Sequence, residues 1–212
     1  QNEELLARQD LLEKQADEYL KLKEELEEKQ AEIDKIIGVK QEIIEALNQE
    51  FSKEEIAINI DQQTGAIVFD ASILYDRSKS ELKGEGIQFL DRFLPIYIGV
   101  LFSSEFKDDI AEIIIEGHTD TDSGYMYNLG LSQDRALSVV EYCLSDSSLS
   151  KEQKEQLRSV ITANGRSFSN PVYDADGKVD LEKSRRVEVK FRLKDEEMIQ
   201  ELQGILERGD IQ

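Results

Sequence analysis

The stretch that decides the fold is IIIEGHTDTDSG, residues 113–124. Ile113 to Ile115 form a short apolar run, which is typical of a buried strand. The run ends at Gly117, and the residues that follow are small, polar and acidic until a helical pattern begins near Leu131. The sequence therefore predicts a strand, a polar loop and a helix. Ligands commonly bind at such strand ends and helix starts, because backbone N–H groups and the helix dipole point outward there.

Two charged residues of this unit are candidates for ligand binding. Asp120 lies in the loop and Arg135 in the helix that follows. A carboxylate held near backbone N–H groups stays ionised and accepts hydrogen bonds from an ammonium, whereas a guanidinium binds a carboxylate with two parallel bonds. The pair suits a ligand that carries both charges. Each residue also has a plainer alternative: Asp120 as a helix cap, and Arg135 as a surface residue paired with Asp134 or Glu141.

The rest of the chain after Phe51 alternates between strand and helix patterns. Strands are predicted at 56–60, 66–69, 160–163 and 187–193, and helices at 80–101, 132–144, within 146–158 and at 195–207. Pro95 is expected to kink or restart its helix. Strands joined by helices in this order predict an α+β sandwich, with helices on a small mixed β-sheet.

The first fifty residues have a different pattern. They contain no proline and one glycine, and Glu, Lys, Leu and Gln dominate, which favours helix. Apolar residues recur every seven positions, a spacing that predicts a parallel coiled coil and a homodimer. Arg8, Gln15 and Lys29 interrupt the companion positions and should weaken association. The alternative is a single helix, either solvated or packed on its own domain. The residues of this heptad stripe are Leu5, Leu12, Tyr19, Leu26, Ile33 and, in the same phase, Leu47.

These patterns divide the chain into three segments. Residues 1–51 are predicted to form a helical coiled-coil stalk, residues 52–194 a binding domain, and residues 195–212 a C-terminal helix. The chain opens with Gln1, so we expect a segment upstream of it.

Composition excludes several classes of function. The formal net charge of −20 argues against nucleic acid and anionic membranes as partners. No apolar run is long enough to span a bilayer, and no signal peptide is present. His118 is the only histidine and Cys143 the only cysteine, so neither a metal site nor a disulfide is expected, and Cys143 is predicted to be a core residue. No nucleophile motif occurs, so the sequence predicts neither an enzyme nor a cofactor.

Several motifs together resemble one known family. Gly117-His118-Thr119-Asp120, with Gly124, Asn128, Leu131-Ser132 and Arg135-Ala136, resembles the signature of the OmpA-like peptidoglycan-binding domain. That domain is shared by OmpA C-termini, Pal lipoproteins and MotB-type stator proteins. The resemblance extends to Val68–Ser72 and Ser184–Val189 and covers roughly residues 56–194. Ser184 replaces the family's usual Asn, and residues 174–183 form a polar insert; both bear on the rim of the site.

The resemblance implies a ligand and a set of contacts. The ligand would be the diaminopimelate, or an equivalent diamino acid, of a peptidoglycan stem peptide. Asp120 would hold its ammonium and Arg135 its carboxylate. Of the adjacent Arg185 and Arg186, which face opposite sides of a strand, one is expected to reach the rim of the site. The other lining residues implied are Thr119, Asn128 and Leu131, with Asp70 and Ala71 on the opposite wall.

The resemblance also implies an architecture. A heptad helix that leads into the domain is most like a MotB-type stator, so the chain is expected to anchor a membrane-embedded motor-type partner to the cell wall from the extracytoplasmic envelope. Which motor it serves stays open. The alternative is a coiled-coil scaffold whose OmpA-like domain binds protein partners and not the wall.

Overall fold

The computed structural model describes residues 2–194 and 196. The chain divides into two compact units between Val39 and Lys40. Helix α1, Asn2–Lys53, is continuous across that division. Within the described residues, no helix combines the length and the apolar character that crossing a bilayer requires.

The first part of α1 is a highly charged helix with apolar residues on its surface. Ion pairs one turn apart, such as Lys23 with Glu27 and Lys29 with Glu32, support the helix by a few tenths of a kcal/mol each. Leu12, Tyr19 and Leu26 of the heptad stripe are exposed. The long N-terminal helix that the sequence predicts is therefore confirmed, and these three residues of its apolar stripe are exposed to solvent.

The second unit is built on a four-stranded sheet. Its strands are β1 (Ile67–Asp70), β2 (Ile110–Gly117), β3 (Ile161–Gly165) and β4 (Arg186–Leu193). Their order is β1-β4-β2-β3; β4 runs antiparallel to β1 and β2, and β2 runs parallel to β3. The sheet is mixed, so the predicted α+β class is confirmed.

Five further helices belong to this unit: α2 (Ala71–Leu74), α3 (Gly84–Leu101), α4 (Tyr125–Leu144), α5 (Lys151–Arg158) and α6 (Leu181–Ser184). Apolar residues of α3, α4 and the sheet meet in one core, where Tyr97, Val139 and Ile113 lie around a small internal space. Cys143 is buried there, as predicted, and burial raises the pKa of its thiol to about 12.

The last turns of α1 are part of this core. Ile43, Ile44, Leu47 and Phe51 are buried, and the Phe51 ring stacks on Phe93 with centroids 5.3 Å apart. The compact unit therefore begins at Lys40, whereas the sequence predicted a domain starting at residue 52. For these turns, the alternative of a helix packed on its own domain is the one observed.

One sequence prediction about local structure is wrong, and another is wrong in part. Residues 56–60 do not form a strand. Ile60 makes an isolated bridge with Ile67 of β1, and residues 56–59 do not extend this pairing. Helix α3 continues through Pro95 and does not restart there, while a kink at this residue stays a prediction. Pro95 and Asp91 both lie on its exposed side, so the carbonyl freed by the missing N–H faces water and costs little.

Two helix predictions have other outcomes. The helix expected from residue 132 begins at Tyr125, so Asn128 and Leu131 lie within it. The predicted C-terminal helix lies outside the described residues, apart from Glu196.

Candidate functional site

A cavity of about 290 Å³ opens where β2 ends and α4 begins. The loop after β2 and the side of α4 form one wall, and α2 with the loop that follows it forms the other. Six of the seven predicted site residues line it: Ala71, Thr119, Asp120, Asn128, Leu131 and Arg135. Their role in ligand binding stays a prediction.

Gly117 lets α4 cross the end of β2 at close range. A Cβ atom on Gly117 would lie 2.2 Å from the carbonyl oxygen of Ser132, a distance that no real contact reaches. The glycine of the motif is therefore needed for close packing of helix on strand, and this packing sets the position of the helix that carries Arg135.

Asp70, the seventh predicted residue, is not among the residues that line the cavity. Its carboxylate oxygen Oδ1 accepts a hydrogen bond from the backbone N–H of Ser72 at 2.7 Å and caps α2. In this structure Asp70 shapes the opposite wall through the backbone and leaves Ala71 to face the cavity.

The carboxylate of Asp120 is held from two sides. Oδ1 accepts a hydrogen bond from the backbone N–H of Asp122 at 3.1 Å, and Oδ2 lies 2.6 Å from a guanidinium nitrogen of Arg185. The bond to Asp120 raises the pKa of Arg185. Sequence reasoning expected one of the two adjacent arginines at the rim; Arg185 lines the cavity and is the direct partner of Asp120.

Arg135 is buried, so the alternative of a surface ion pair is wrong. Its Nε donates to the carbonyl of Lys79 at 2.8 Å, and its guanidinium lies 5.1 Å from the centre of the Tyr75 ring. Burial lowers the pKa of Arg135. Tyr75 and Asp120 act in the opposite direction and raise it. A guanidinium has five N–H donors, so the bonds to the loop carbonyls leave donors for a ligand.

Asn128 and Thr119 differ in what they can offer to a ligand. The side-chain amide of Asn128 donates to the carbonyls of Asp120 and Ser123, at 3.2 and 3.1 Å, and so fixes the loop. The hydroxyl of Thr119 is buried and has no hydrogen-bond partner among the described residues. Thr119 thus brings a buried hydroxyl without a partner among the described residues to the wall of the cavity.

Behind the loop lies a cluster of buried and half-buried ionisable side chains that the sequence analysis missed. Nε2 of His118 is 3.5 Å from Glu116 and 3.6 Å from Glu188, and the Lys190 ammonium is 2.7 and 2.6 Å from the same two carboxylates. The nearby His118 ring, followed by the hydrogen bond from Lys190, lowers the pKa of Glu116 to about 2. The alternating charges of β4 were the available signal, because they predict one polar face of the sheet.

The cluster also bears on metal binding. Glu116, His118 and Glu188 could each offer one ligand atom, and these atoms lie within 4.8 Å of one another. A lone histidine in the sequence gave no sign of this arrangement, since Glu188 is distant along the chain. Lys190 and Arg186 already neutralise the two carboxylates, so the geometry is that of an ion-pair network.

The fold and the cavity define a domain with charged and polar side chains gathered at the end of β2. The chain belongs to the OmpA family, whose model matches residues 74–185. The resemblance found in the sequence is thereby confirmed.

Curated relatives extend the match. Zorya protein ZorB of Escherichia coli is 34% identical in an alignment 160 residues long, which covers 70% of this chain and 67% of that protein. A second Escherichia coli ZorB is 36% identical, and this chain spans 57% of its length. Outer membrane protein A of Shimwellia blattae is 36% identical over 110 residues, 52% of this chain and 40% of that protein.

Among solved structures, a MotB-like protein from Desulfovibrio vulgaris has the same fold. It superposes with a TM-score of 0.53 at 16% identity, covering 75% of this chain and 94% of that one.

Proposed function

We propose that this domain binds the stem peptide of peptidoglycan without covalent chemistry and anchors a membrane protein to the cell wall. The observation that carries the proposal is the pairing of opposite charges in one cavity, with Asp120 and the buried Arg135 both on its walls. Membership of the OmpA family supports it. Among the described lining residues there is no histidine, cysteine or lysine, which fits binding better than catalysis.

The ligand group would be the free amino acid end of diaminopimelate or an equivalent diamino acid. Arg135 binds its carboxylate through the guanidinium donors that the loop carbonyls leave free. Asp120 binds its ammonium, because a carboxylate has about four acceptor positions and Asp122 and Arg185 occupy two of them. Thr119 adds a hydroxyl, while Ala71 and Leu131 contact the methylene groups.

The wider role follows from the rest of the chain and from its relatives. Exposed apolar side chains between Leu11 and Ile37 support dimerisation through the N-terminal helix. The relative named outer membrane protein A supports a place in the cell envelope, outside the cytoplasm. We propose that an upstream segment joins the domain to a membrane-embedded, stator-like complex.

Sedimentation with purified peptidoglycan sacculi tests the proposal. We expect the full chain to pellet with sacculi, and Asp120→Ala and Arg135→Gln each to lose about 2–5 kcal/mol of binding, because each leaves a buried charge unpaired. Asp134→Asn, an exposed neighbour on the same helix, is the matched control and should bind like the parent. Thermal melts of every variant separate lost binding from lost folding.

Competition defines the ligand group. Free diaminopimelate should displace the protein from sacculi, whereas an analogue acetylated on the side-chain amine should not, since acetylation removes the charge that Asp120 holds. Equal competition by both compounds would exclude the ammonium–carboxylate mode. A folded parent that stays in the supernatant would favour the protein-binding scaffold instead.

A further inference from the structure

Uncharged side chains surround the N-terminal tip of α4 beside the cavity. Tyr125, Met126 and Tyr127 are 47%, 74% and 56% exposed. Successive helical residues turn by about 100°, so these three side chains cover about 200° around the helix axis. Tyr127 lines the cavity, and Tyr125 packs edge to face on Phe168, with ring centroids 5.5 Å apart. We call these four residues the aromatic rim; it leads from the cavity mouth around the helix tip to Phe168.

The aromatic rim is held in place by the buried residue next to Phe168. The hydroxyl of Ser167 donates to the carbonyl of Tyr125 at 3.0 Å, and its backbone N–H donates to the hydroxyl of Ser132 at 3.0 Å. Its carbonyl accepts a hydrogen bond from the backbone N–H of Thr119 at 2.9 Å. The loop that carries Phe168 is therefore tied to α4 and to the cavity loop, so little ordering is needed when a partner binds.

The chemical character of the rim side chains indicates which kind of ligand the rim can bind. Exposed apolar side chains in a row mark an interaction site. The chain has a formal net charge of −20, which repels anionic polymers, whereas the rim itself is uncharged. Tyrosine rings offer an apolar face with a hydroxyl at the edge, which matches the C–H face and the hydroxyl groups of a sugar ring. An arc around a helix tip suits an extended chain of neutral sugars.

We infer that the aromatic rim binds the glycan strand to which the stem peptide is attached, with sugar rings stacked on Tyr125 and Tyr127. This inference rests on the proposed function, because a stem peptide in the cavity continues covalently into sugar. Tyr127 belongs to both surfaces, so the ligand passes from the cavity onto the rim without crossing charged residues of α4.

Calorimetric titration of the full chain with two ligands tests the inference. One ligand is a disaccharide that carries a stem peptide, and the other is the same peptide without sugar. We expect the parent to bind the first about three- to tenfold more tightly, the contribution of one or two aromatic contacts. Tyr125→Ala and Met126→Ala should each reduce that preference and leave the affinity for the free peptide unchanged. Leu137→Ala, an exposed change on the same helix outside the rim, should alter neither affinity.

Each result has one meaning. Equal affinity of the parent for the two ligands overturns the glycan inference and leaves peptide binding intact. Failure of the folded parent to bind either ligand overturns the proposed function, and the inference with it. Met126 is mostly in solvent, so its truncation cannot act through folding; full sugar preference in both rim variants would overturn the inference. A lower molecular mass of the rim variants in light scattering would assign the surface to self-association instead.

Discussion

Leu26 and Leu47 lie on the same helix and in the same heptad phase, yet their surroundings are opposite. Leu26 is 65% exposed, whereas Leu47 is completely buried in the compact unit that begins at Lys40. Burying a leucine side chain contributes about 1.5–3 kcal/mol, so the two residues contribute very differently to the fold of one chain. The comparison shows that a seven-residue repeat identifies an apolar stripe but does not say what covers it.

The largest effect is expected from a truncation that removes the first part of α1 and keeps its last turns. We expect the full chain to self-associate and a chain that lacks residues 1–39 to be monomeric and folded, because the exposed stripe is then gone while Ile43, Leu47 and Phe51 remain in the core. Light scattering and circular dichroism measure both properties. The dimer should also dissociate from sacculi more slowly than the monomer, since two sites bind one lattice.

Two outcomes would contradict that division. A monomeric full chain at high micromolar concentration would mean that residues 2–39 are a solvated helix. A folded chain that lacks residues 1–53 would mean that the last turns of α1 are dispensable to the domain.

Truncating the two leucines is the next test. Leu47→Ala should lower the free energy of unfolding by about 2–5 kcal/mol, the usual cost of a cavity in a packed core. Leu26→Ala, its matched control, should change the unfolding of the second unit by less than about 0.5 kcal/mol and act on association instead. Urea denaturation followed by near-ultraviolet circular dichroism measures both, and similar losses would refute the contrast.

Alanine substitution of two glycines extends the comparison, because it should destabilise the protein at one position and stabilise it at the other. Gly117→Ala should destabilise the domain by about 1–3 kcal/mol or more, because the added methyl would overlap the carbonyl of Ser132. Gly38→Ala meets no atom within 4 Å and should stabilise α1 by about 0.5–1 kcal/mol, since alanine favours a helix more than glycine does. Thermal denaturation gives both signs; a neutral Gly117→Ala would refute the close approach of α4 to β2.

Acid unfolding probes the charged face of the sheet. The pKa of Glu116 is lowered to about 2 in the folded state, below its ordinary 4.5. The ionised form is thus favoured by folding, so this stability is complete above pH 4.5 and is lost as the pH falls toward 2. We expect a loss on the order of 2 kcal/mol, allowing for solvent screening.

Two variants test whether Glu116 causes this loss of stability at low pH. Glu116→Gln should flatten the acid limb of the stability curve. Glu27→Gln in the exposed part of α1, where the carboxylate lies 3.8 Å from Lys23, should leave it unchanged, because surface ion pairs contribute little. Urea midpoints between pH 2 and 7 report both; an unaltered acid limb in Glu116→Gln would show that other carboxylates control acid unfolding.

The sequence by itself determined the features that depend on neighbours along the chain. The apolar run at 113–115, the glycine that ends it and the polar loop after it were enough to predict strand, loop and helix. The alternation of Val187, Val189 and Phe191 predicted the inner face of β4, and all three are buried. The family motif pointed to Asp120 and Arg135, which line one cavity.

Only the tertiary structure decided which groups meet through space. The pairing of Asp120 with Arg185, 65 residues away, and the cluster around His118 depend on how the strands align, which no local pattern records. The same holds for residues 56–60, whose alternation predicted a strand that pairs with no neighbouring strand, and for Leu47, which its own domain covers although Leu26 of the same stripe is exposed. Periodicity encodes which side of an element is apolar or charged, whereas the partner of that side is fixed by the packing of distant segments.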